Sequence, residues 1–237
     1  SLGTQRTKMK KTIRFGSVSG IDLFVHWTFL GMMAGIFGFY VYQGLTVIAA
    51  LAGVGLILSV FACVVLHELG HAFMAREFGI PTIDIVMYPI GGMARLARMP
   101  REPKQEFLIA IAGPAVNLAI AAVLYVIGSA LGTTLSAASS FQPQANIISM
   151  LMWINLSLVA FNMIPAFPMD GGRVLRAALA SQMDYRLATH IASLVGQGLA
   201  LVFGVYGLFN GLWTLPLISA FVFMAARQEV QHVMEKT

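Results

Sequence analysis

The sequence predicts an all-α integral membrane protein with six transmembrane helices and a small membrane-associated β-hairpin. Hydrophobic residues make up 58% of the 237 residues and charged residues only 11%, whereas roughly a quarter of the residues of soluble globular proteins are charged. The mean hydropathy is +0.79. Because so few charged groups cannot cover the surface of a water-soluble fold of this size, and because the apolar content excludes intrinsic disorder, we expect a fold embedded in lipid.

Six apolar segments are long enough to cross the hydrocarbon core of a bilayer, which requires roughly 20 residues per helix. We predict these transmembrane helices at residues 23–42, 45–76, 106–131, 147–164, 187–209 and 212–226. Only Asn210 and Gly211 separate the last two segments, so we expect them to form a helical hairpin. Cys63 is the only cysteine, which excludes a disulfide scaffold.

The basic residues indicate the orientation of this six-span arrangement. All 15 lysines and arginines fall on the same side of it. They are Arg6, Lys8, Lys10, Lys11, Arg14, Arg76, Arg95, Arg98, Arg101, Lys104, Arg173, Arg176, Arg186, Arg227 and Lys236. The positive-inside bias then predicts a multi-pass plasma-membrane protein with both termini in the cytoplasm. Short basic clusters between apolar runs do not indicate nucleic-acid binding.

These spans divide the chain into three predicted parts. Residues 1–19 form a cytoplasmic N-terminal segment, residues 20–229 a six-helix transmembrane domain, and residues 230–237 a cytoplasmic tail. Within the domain, residues 80–98 alternate apolar and polar side chains on either side of a Pro-Ile-Gly-Gly turn, which predicts a β-hairpin. Since non-helical backbone near the bilayer must be shielded by protein or line a wet cavity, we expect the hairpin to cover an entrance.

The second apolar segment ends in His67-Glu68-Leu69-Gly70-His71, a pattern typical of metal sites on helices. Histidines four residues apart share one helical face, so both imidazoles can reach one ion. With one further protein ligand they leave an open position on a zinc ion, and Glu68 can act as general base there. The alternative is a buried polar cluster that only ties helices together, although such groups are costly in a membrane span without a function.

Asp170 is the candidate for the third ligand. It follows a helix break at Pro165 and Pro168 and precedes two glycines that allow a sharp turn of the backbone. Such a break can bring a carboxylate inward, whereas the other acidic residues lie at predicted helix ends or in loops. The alternative is that Asp170 caps a helix or pairs with Arg173.

The two motifs together resemble the site-2 protease family of intramembrane zinc metalloproteases. The resemblance rests on residues 67–71 and on residues 162–172, which read NMIPAFPMDGG. It extends to Gly113-Pro114-Ala115-Val116-Asn117 in the third span and to the Gly91-Gly92 turn of the hairpin. Residues 170–176 most resemble the bacterial and archaeal branch, whose members often carry a pair of cystathionine-β-synthase-type domains after the last helix. The chain reaches Thr237 without that pair.

This resemblance implies hydrolysis of peptide bonds within or next to transmembrane segments of membrane-bound substrates. It implies one zinc ion per chain, held by His67, His71 and Asp170, with Glu68 as the general base. The substrate is expected to be a transmembrane protein, for example an anti-sigma factor or a signal-peptide remnant. We further expect residues 80–98 to include a strand edge on which an unwound substrate can pair.

Asn117 is a polar residue in an otherwise apolar helix, shortly after Pro114. The resemblance implies a catalytic role, in which the amide stabilises an oxyanion or holds the substrate backbone. The alternative is a hydrogen bond between helices. For the whole protein, the alternative functions are a zinc-binding membrane transporter or sensor, and an inactive relative that acts as a binding module. The oligomeric state is left open.

Overall fold

The computed structural model describes residues 12–100, 102–140 and 146–235, which form four strands and eight helices. In chain order these are β1 (Thr12–Val18), β2 (Ile21–His26), α1 (Trp27–Tyr42), α2 (Val47–Glu77), β3 (Thr82–Tyr88), β4 (Gly91–Leu96), α3 (Pro103–Ala130), α4 (Ala137–Ser140), α5 (Ile147–Asn162), α6 (Asp170–Ala180), α7 (Tyr185–Phe209) and α8 (Thr214–Glu235). Several of the basic residues that predict the orientation lie outside the described part of the chain, namely Arg6, Lys8, Lys10, Lys11, Arg101 and Lys236.

Three helices, α2, α3 and α7, are long and apolar enough to cross a membrane. Helices α1 and α5 are apolar but have only 16 residues each, which corresponds to about 24 Å of helix against a hydrocarbon core of about 30 Å. Helix α8 continues well past the predicted span at residues 212–226 and into the predicted tail. Of the predicted all-α fold with six transmembrane helices, the structure confirms a mostly helical protein with three candidate spans.

The predicted first span was wrong at its beginning. Residues 23–26 belong to β2, and helix α1 begins only at Trp27. The side chain of His26 caps this helix by accepting a hydrogen bond from the backbone N–H of Thr28. Ile21 and Leu23 of β2 are buried against α2 and β3. The apolar composition of the strand does not by itself distinguish this packing from contact with lipid.

The predicted β-hairpin is confirmed, and it is half of a four-stranded sheet with the order β1-β2-β3-β4. Strands β3 and β4 pair antiparallel through the turn at residues 89–90. Strands β1 and β2 form a second hairpin, whose turn residues Ser19 and Gly20 both have positive φ, as a type I′ hairpin turn requires. The two hairpins are joined by parallel pairing of β2 with β3. The boundary predicted between residues 19 and 20 falls within the β1–β2 turn.

The sheet packs on the C-terminal half of α2. Leu69 and Ala72 of that helix form a buried cluster with Ile85 and Met87 of β3 and with two side chains of β2. Helix α3 contacts α2, α5 and α6, and α6 in turn contacts α7, which packs along α8. This arrangement places the end of α2, the middle of α3 and the start of α6 around one point.

Candidate metal centre

The two histidines of the motif lie on the inward face of α2, four residues and one helical turn apart. His67 and His71 are both buried, and their Nε2 atoms are 3.1 Å from each other. Both rings face α3, where Gly113 occupies the position opposite them. A Cβ on Gly113 would lie 2.7 Å from His67 Nε2 and still closer to His71 Nε2. Only glycine at this position leaves room between the imidazoles and α3.

Asp170 reaches the same point from the first residue of α6. Its Oδ2 atom lies 3.2 Å from the Nε2 atom of each histidine, and the residue is buried. Helix α5 ends at Asn162, and residues 163–169, which contain both prolines, connect it to α6. The expected helix break is therefore present, and it brings the carboxylate to the histidines.

The two glycines after Asp170 allow α6 to begin this close to the connecting segment. A Cβ on Gly171 would overlap the backbone carbonyls of Met163 and Ile164, and one on Gly172 would lie 2.7 Å from the carbonyl carbon of Ala166. Side chains at these two positions would push the first turn of α6 away from the segment. Because Asp170 is part of that turn, they would also move its carboxylate.

The three side chains together fit a divalent metal ion. Their ligand atoms lie within 4.8 Å of one another. Two ligands bound tetrahedrally to zinc at about 2.0–2.1 Å lie roughly 3.3 Å apart, which is close to the pairwise separations of 3.1 and 3.2 Å seen here. Two imidazole nitrogens and one carboxylate oxygen also match the three protein ligands that catalytic zinc sites use.

The outer nitrogen of each histidine ring has its own hydrogen-bond partner. The Nδ1–H of His71 donates to the backbone carbonyl of Ile109 at 2.6 Å, and the Nδ1–H of His67 donates to Asn117 Oδ1 at 2.5 Å. These bonds select the neutral tautomer with a lone pair on Nε2, which is the form that binds a metal ion.

Asn117 belongs to a buried polar network that continues away from the histidines. Its Nδ2 atom donates to Asn155 Oδ1 at 2.7 Å, and Asn155 donates to the backbone carbonyl of Leu151 and to the sulfur of Cys63. Both asparagines are fully buried. Asn117 therefore touches the ring of His67 on the side opposite to Asp170. Asn155 was not singled out from the sequence, although an isolated amide in the apolar α5 is the same kind of signal as Asn117.

Glu68 lies beside the three clustered side chains but points toward the sheet. Its Oε2 atom accepts a hydrogen bond from the backbone N–H of Ala94 in β4 at 3.0 Å. Gly92 of the same strand lies against the side chain, since a Cβ there would be 2.8 Å from Glu68 Cγ. Neither Gly92 nor Ala94 was singled out in this role from the sequence, because the contact joins elements whose spacing gives no local pattern.

A buried ion network fixes the helix that carries Asp170. Arg176 of α6 is fully buried, and its guanidinium donates to Glu106 of α3 and to Glu229 of α8. The same guanidinium lies 4.9 Å from the ring centre of Phe167, in the segment that precedes Asp170, and 5.1 Å from that of Tyr185. Burial lowers the pKa of Arg176, but the two carboxylates outweigh it and raise the pKa, so the group stays charged.

The sequence profile described as Peptidase family M50 matches residues 55–144 and 131–203. These segments span more than half of the chain and contain every side chain of the clustered site. The chain belongs to peptidase family M50. Together with its three long apolar helices, this membership identifies a membrane protein and confirms the family predicted from the two motifs.

Named relatives agree with M50 membership. The chain is 36% identical over 229 residues to a zinc metalloprotease of Methanocaldococcus jannaschii, covering 97% of this chain and 63% of the relative. It is 27% identical over 174 residues to stage IV sporulation protein FB of Bacillus subtilis, covering 71% of this chain and 56% of that protein. The chain thus spans less than two thirds of the length of either relative.

A solved protease structure is similar to this fold. The site-2 protease from Methanocaldococcus jannaschii superposes with a TM-score of 0.64 and 35% sequence identity. The match covers 92% of this chain and 95% of the solved chain.

Proposed function

We propose that this chain is an intramembrane zinc metalloprotease, which hydrolyses peptide bonds within or next to transmembrane segments of membrane-bound substrates. The observation that carries this proposal is the meeting of His67 Nε2, His71 Nε2 and Asp170 Oδ2, beside Glu68, at the end of a helix apolar enough to cross a membrane. The metalloprotease name of the archaeal relative and membership of peptidase family M50 support the same activity.

His67, His71 and Asp170 would hold one zinc ion per chain, which as a Lewis acid polarises a carbonyl oxygen and activates water. Glu68 is the proposed general base. Its carboxylate accepts a proton from the attacking water and returns it to the leaving amine of the substrate. Glu68 follows His67 directly in α2, and its carboxylate accepts a hydrogen bond from Ala94 of β4.

For Asn117 the contacts favour a positioning role. Its carbonyl oxygen accepts from His67 Nδ1 and its amide nitrogen donates to Asn155, so both polar atoms are engaged within the protein. An oxyanion donor needs an N–H that faces the reacting carbonyl. We therefore assign Asn117 to the orientation of the His67 ring.

The substrate is proposed to pair with the outer edge of β4. An unwound transmembrane segment exposes backbone N–H and C=O groups that lipid cannot satisfy, and an added strand satisfies them. Strand β3 is unsuitable for this purpose because it pairs with β2 on one side and β4 on the other, whereas β4 is terminal among the described strands. The edge within residues 80–98 is thus assigned to Gly91–Leu96.

The proposed arrangement in the membrane has six spans and both termini in the cytoplasm. It adds α1, α5 and α8 to the three long apolar helices, since the first two are apolar and α8 packs along α7. The positive-inside bias supports the orientation. The proposed partner is a transmembrane protein, such as an anti-sigma factor or a signal-peptide remnant, in the plasma membrane.

Zinc content and peptide cleavage, measured on the same purified preparations, test the proposal. We expect about one zinc per chain in both the wild type and Glu68→Gln, with cleavage of a model transmembrane peptide by the wild type alone. Zinc in both proteins and cleavage by neither, across a panel of transmembrane peptides, would favour a transporter or sensor. Absence of zinc from both after zinc supplementation would refute the metal centre.

A further inference from the structure

The outer edge of β4 is in contact with the proposed general base before any substrate is present. The N–H of Ala94, which lies opposite Ile85 in the β3–β4 register, bonds to Glu68 on α2 and not to β3. In an antiparallel pair, alternate residues direct both backbone polar groups away from the partner strand. Ala94 and, two residues earlier, Gly92 are such residues, so Glu68 occupies a donor of the free edge.

Gly92 allows this contact to form. A Cβ at this position would lie 2.8 Å from Glu68 Cγ and 3.3 Å from Val64 Cγ1, both on α2. The absent side chain lets β4 lie flat against the helix, so that the Glu68 carboxylate reaches along the edge to Ala94. The outer edge of β4 therefore runs directly beside Glu68, the residue that follows His67 in the metal motif.

We propose that Glu68 and the substrate backbone compete for one donor, the N–H of Ala94, so that strand pairing by the substrate releases the Glu68 carboxylate. Without substrate, the carboxylate satisfies an edge N–H that would otherwise lack a partner. With an extended peptide on β4, a peptide carbonyl accepts from Ala94 and Glu68 is free to accept a proton. This inference rests on the proposed protease function and adds a mechanism that couples the base to substrate binding.

Two uncharged substitutions at Glu68 separate the effect of the hydrogen bond to Ala94 from the effect of the negative charge. Glu68→Gln keeps an oxygen that accepts from Ala94, whereas Glu68→Ala removes it. Both variants are expected to be inactive, so binding of an uncleaved fluorescent transmembrane peptide can be measured by anisotropy with the full chain, loaded with zinc, in detergent. We expect Glu68→Ala to bind the peptide about threefold to tenfold more tightly than Glu68→Gln, since one competing hydrogen bond is lost.

Substitution of Ala94 tests whether the difference depends on this donor. Ala94→Pro removes the N–H without removing a bond of the β3–β4 ladder, and proline is tolerated at outward-facing edge positions. In this background the two Glu68 variants should bind the peptide equally, while in Ala94→Gly, which keeps the N–H, the difference should remain. If thermal unfolding shows that Ala94→Pro is not folded, the comparison of Glu68→Gln with Glu68→Ala in the protein with Ala94 unchanged decides whether the proposal holds.

The outcomes separate this inference from the function on which it rests. Equal peptide affinity of Glu68→Gln and Glu68→Ala, combined with cleavage by the wild type, would overturn the competition and leave the protease assignment intact. A difference that persists in folded Ala94→Pro would also overturn it, because the donor would then not be its cause. Wild-type protein that binds zinc but cleaves no peptide would instead count against the proposed function.

Discussion

Both nitrogens of the His67 ring have polar partners, and Asn117 is the partner that orients the ring toward the other ligands. One ring nitrogen donates to the fully buried Asn117, while the other faces His71 and Asp170. Loss of the amide would leave the Nδ1–H of His67 and the amide of Asn155 without these partners in a buried site. Partners of this kind fix the tautomer and the orientation of a metal-binding histidine.

Substitutions of Asn117 distinguish a positioning role from an oxyanion role. Asn117→Ala is expected to weaken zinc affinity by about 10-fold to 100-fold, as is typical when the hydrogen-bond partner of a ligand is lost. Asn117→Asp keeps an oxygen that accepts from His67 and should retain zinc affinity near that of the wild type. Competition with a chelator of known affinity measures both. If both variants bind zinc normally while their cleavage falls by about 100-fold or more, the oxyanion interpretation is favoured.

Among the elements, α6 is held in place by buried contacts with neighbouring helices. It is short, begins with the candidate ligand Asp170, and is tied to α3 and α8 through Arg176. The cation stacks on Phe167, so the segment that leads into α6 is fixed by the same side chain. The position of the Asp170 carboxylate is therefore coupled to the ion pairs of Arg176, six residues later in α6.

Removal of Arg176 should destabilise the protein strongly. Arg176→Ala leaves Glu106 buried without its cation, and breaking a buried pair in this way typically costs about 3–5 kcal/mol of unfolding free energy. Arg14→Ala is the control, because Arg14 pairs with Asp22 at an exposed position, where such pairs contribute about 1 kcal/mol or less. Unfolding in detergent with increasing denaturant measures both. The double substitution Arg176→Met with Glu106→Gln should recover part of the lost stability. Equal stability of Arg176→Ala and Arg14→Ala would contradict this account.

At the scale of the whole molecule, local patterns predicted the parts of the site that lie within single elements. The spacing of His67 and His71 placed both on one face of α2, and alternation at residues 80–98 predicted the β3–β4 hairpin. Residues 23–26 of β2 are predicted as helix because the apolar residues of this strand run directly into α1. Two helices, α1 and α2, separate β2 from its parallel partner β3 in the chain. No local sequence pattern predicts pairing between strands so far apart in sequence. The contact of Glu68 with Ala94 was missed for the same reason.

The proposed orientation in the membrane can be tested by labelling single cysteines. Cys63→Ser removes the buried native thiol and keeps an atom that can accept from Asn155. In this background, Gln43→Cys after α1 should react with a membrane-impermeant maleimide in intact expressing cells, because that loop is proposed to face outward. Ser181→Cys after α6 should react only after permeabilisation. Both original side chains are exposed, so reversed labelling would refute the orientation.

The parallel pairing of β2 with β3 has a consequence for how the chain threads the bilayer. Strand β2 leads directly into α1, and β3 follows closely after α2. Since the two strands are neighbours in one sheet, the start of α1 and the end of α2 must emerge on the same face. The number of crossings between them is therefore even. In the proposed six-span arrangement, the hydrogen bonds between β2 and β3 therefore require α1, despite its 16 residues, to cross the bilayer in the direction opposite to α2.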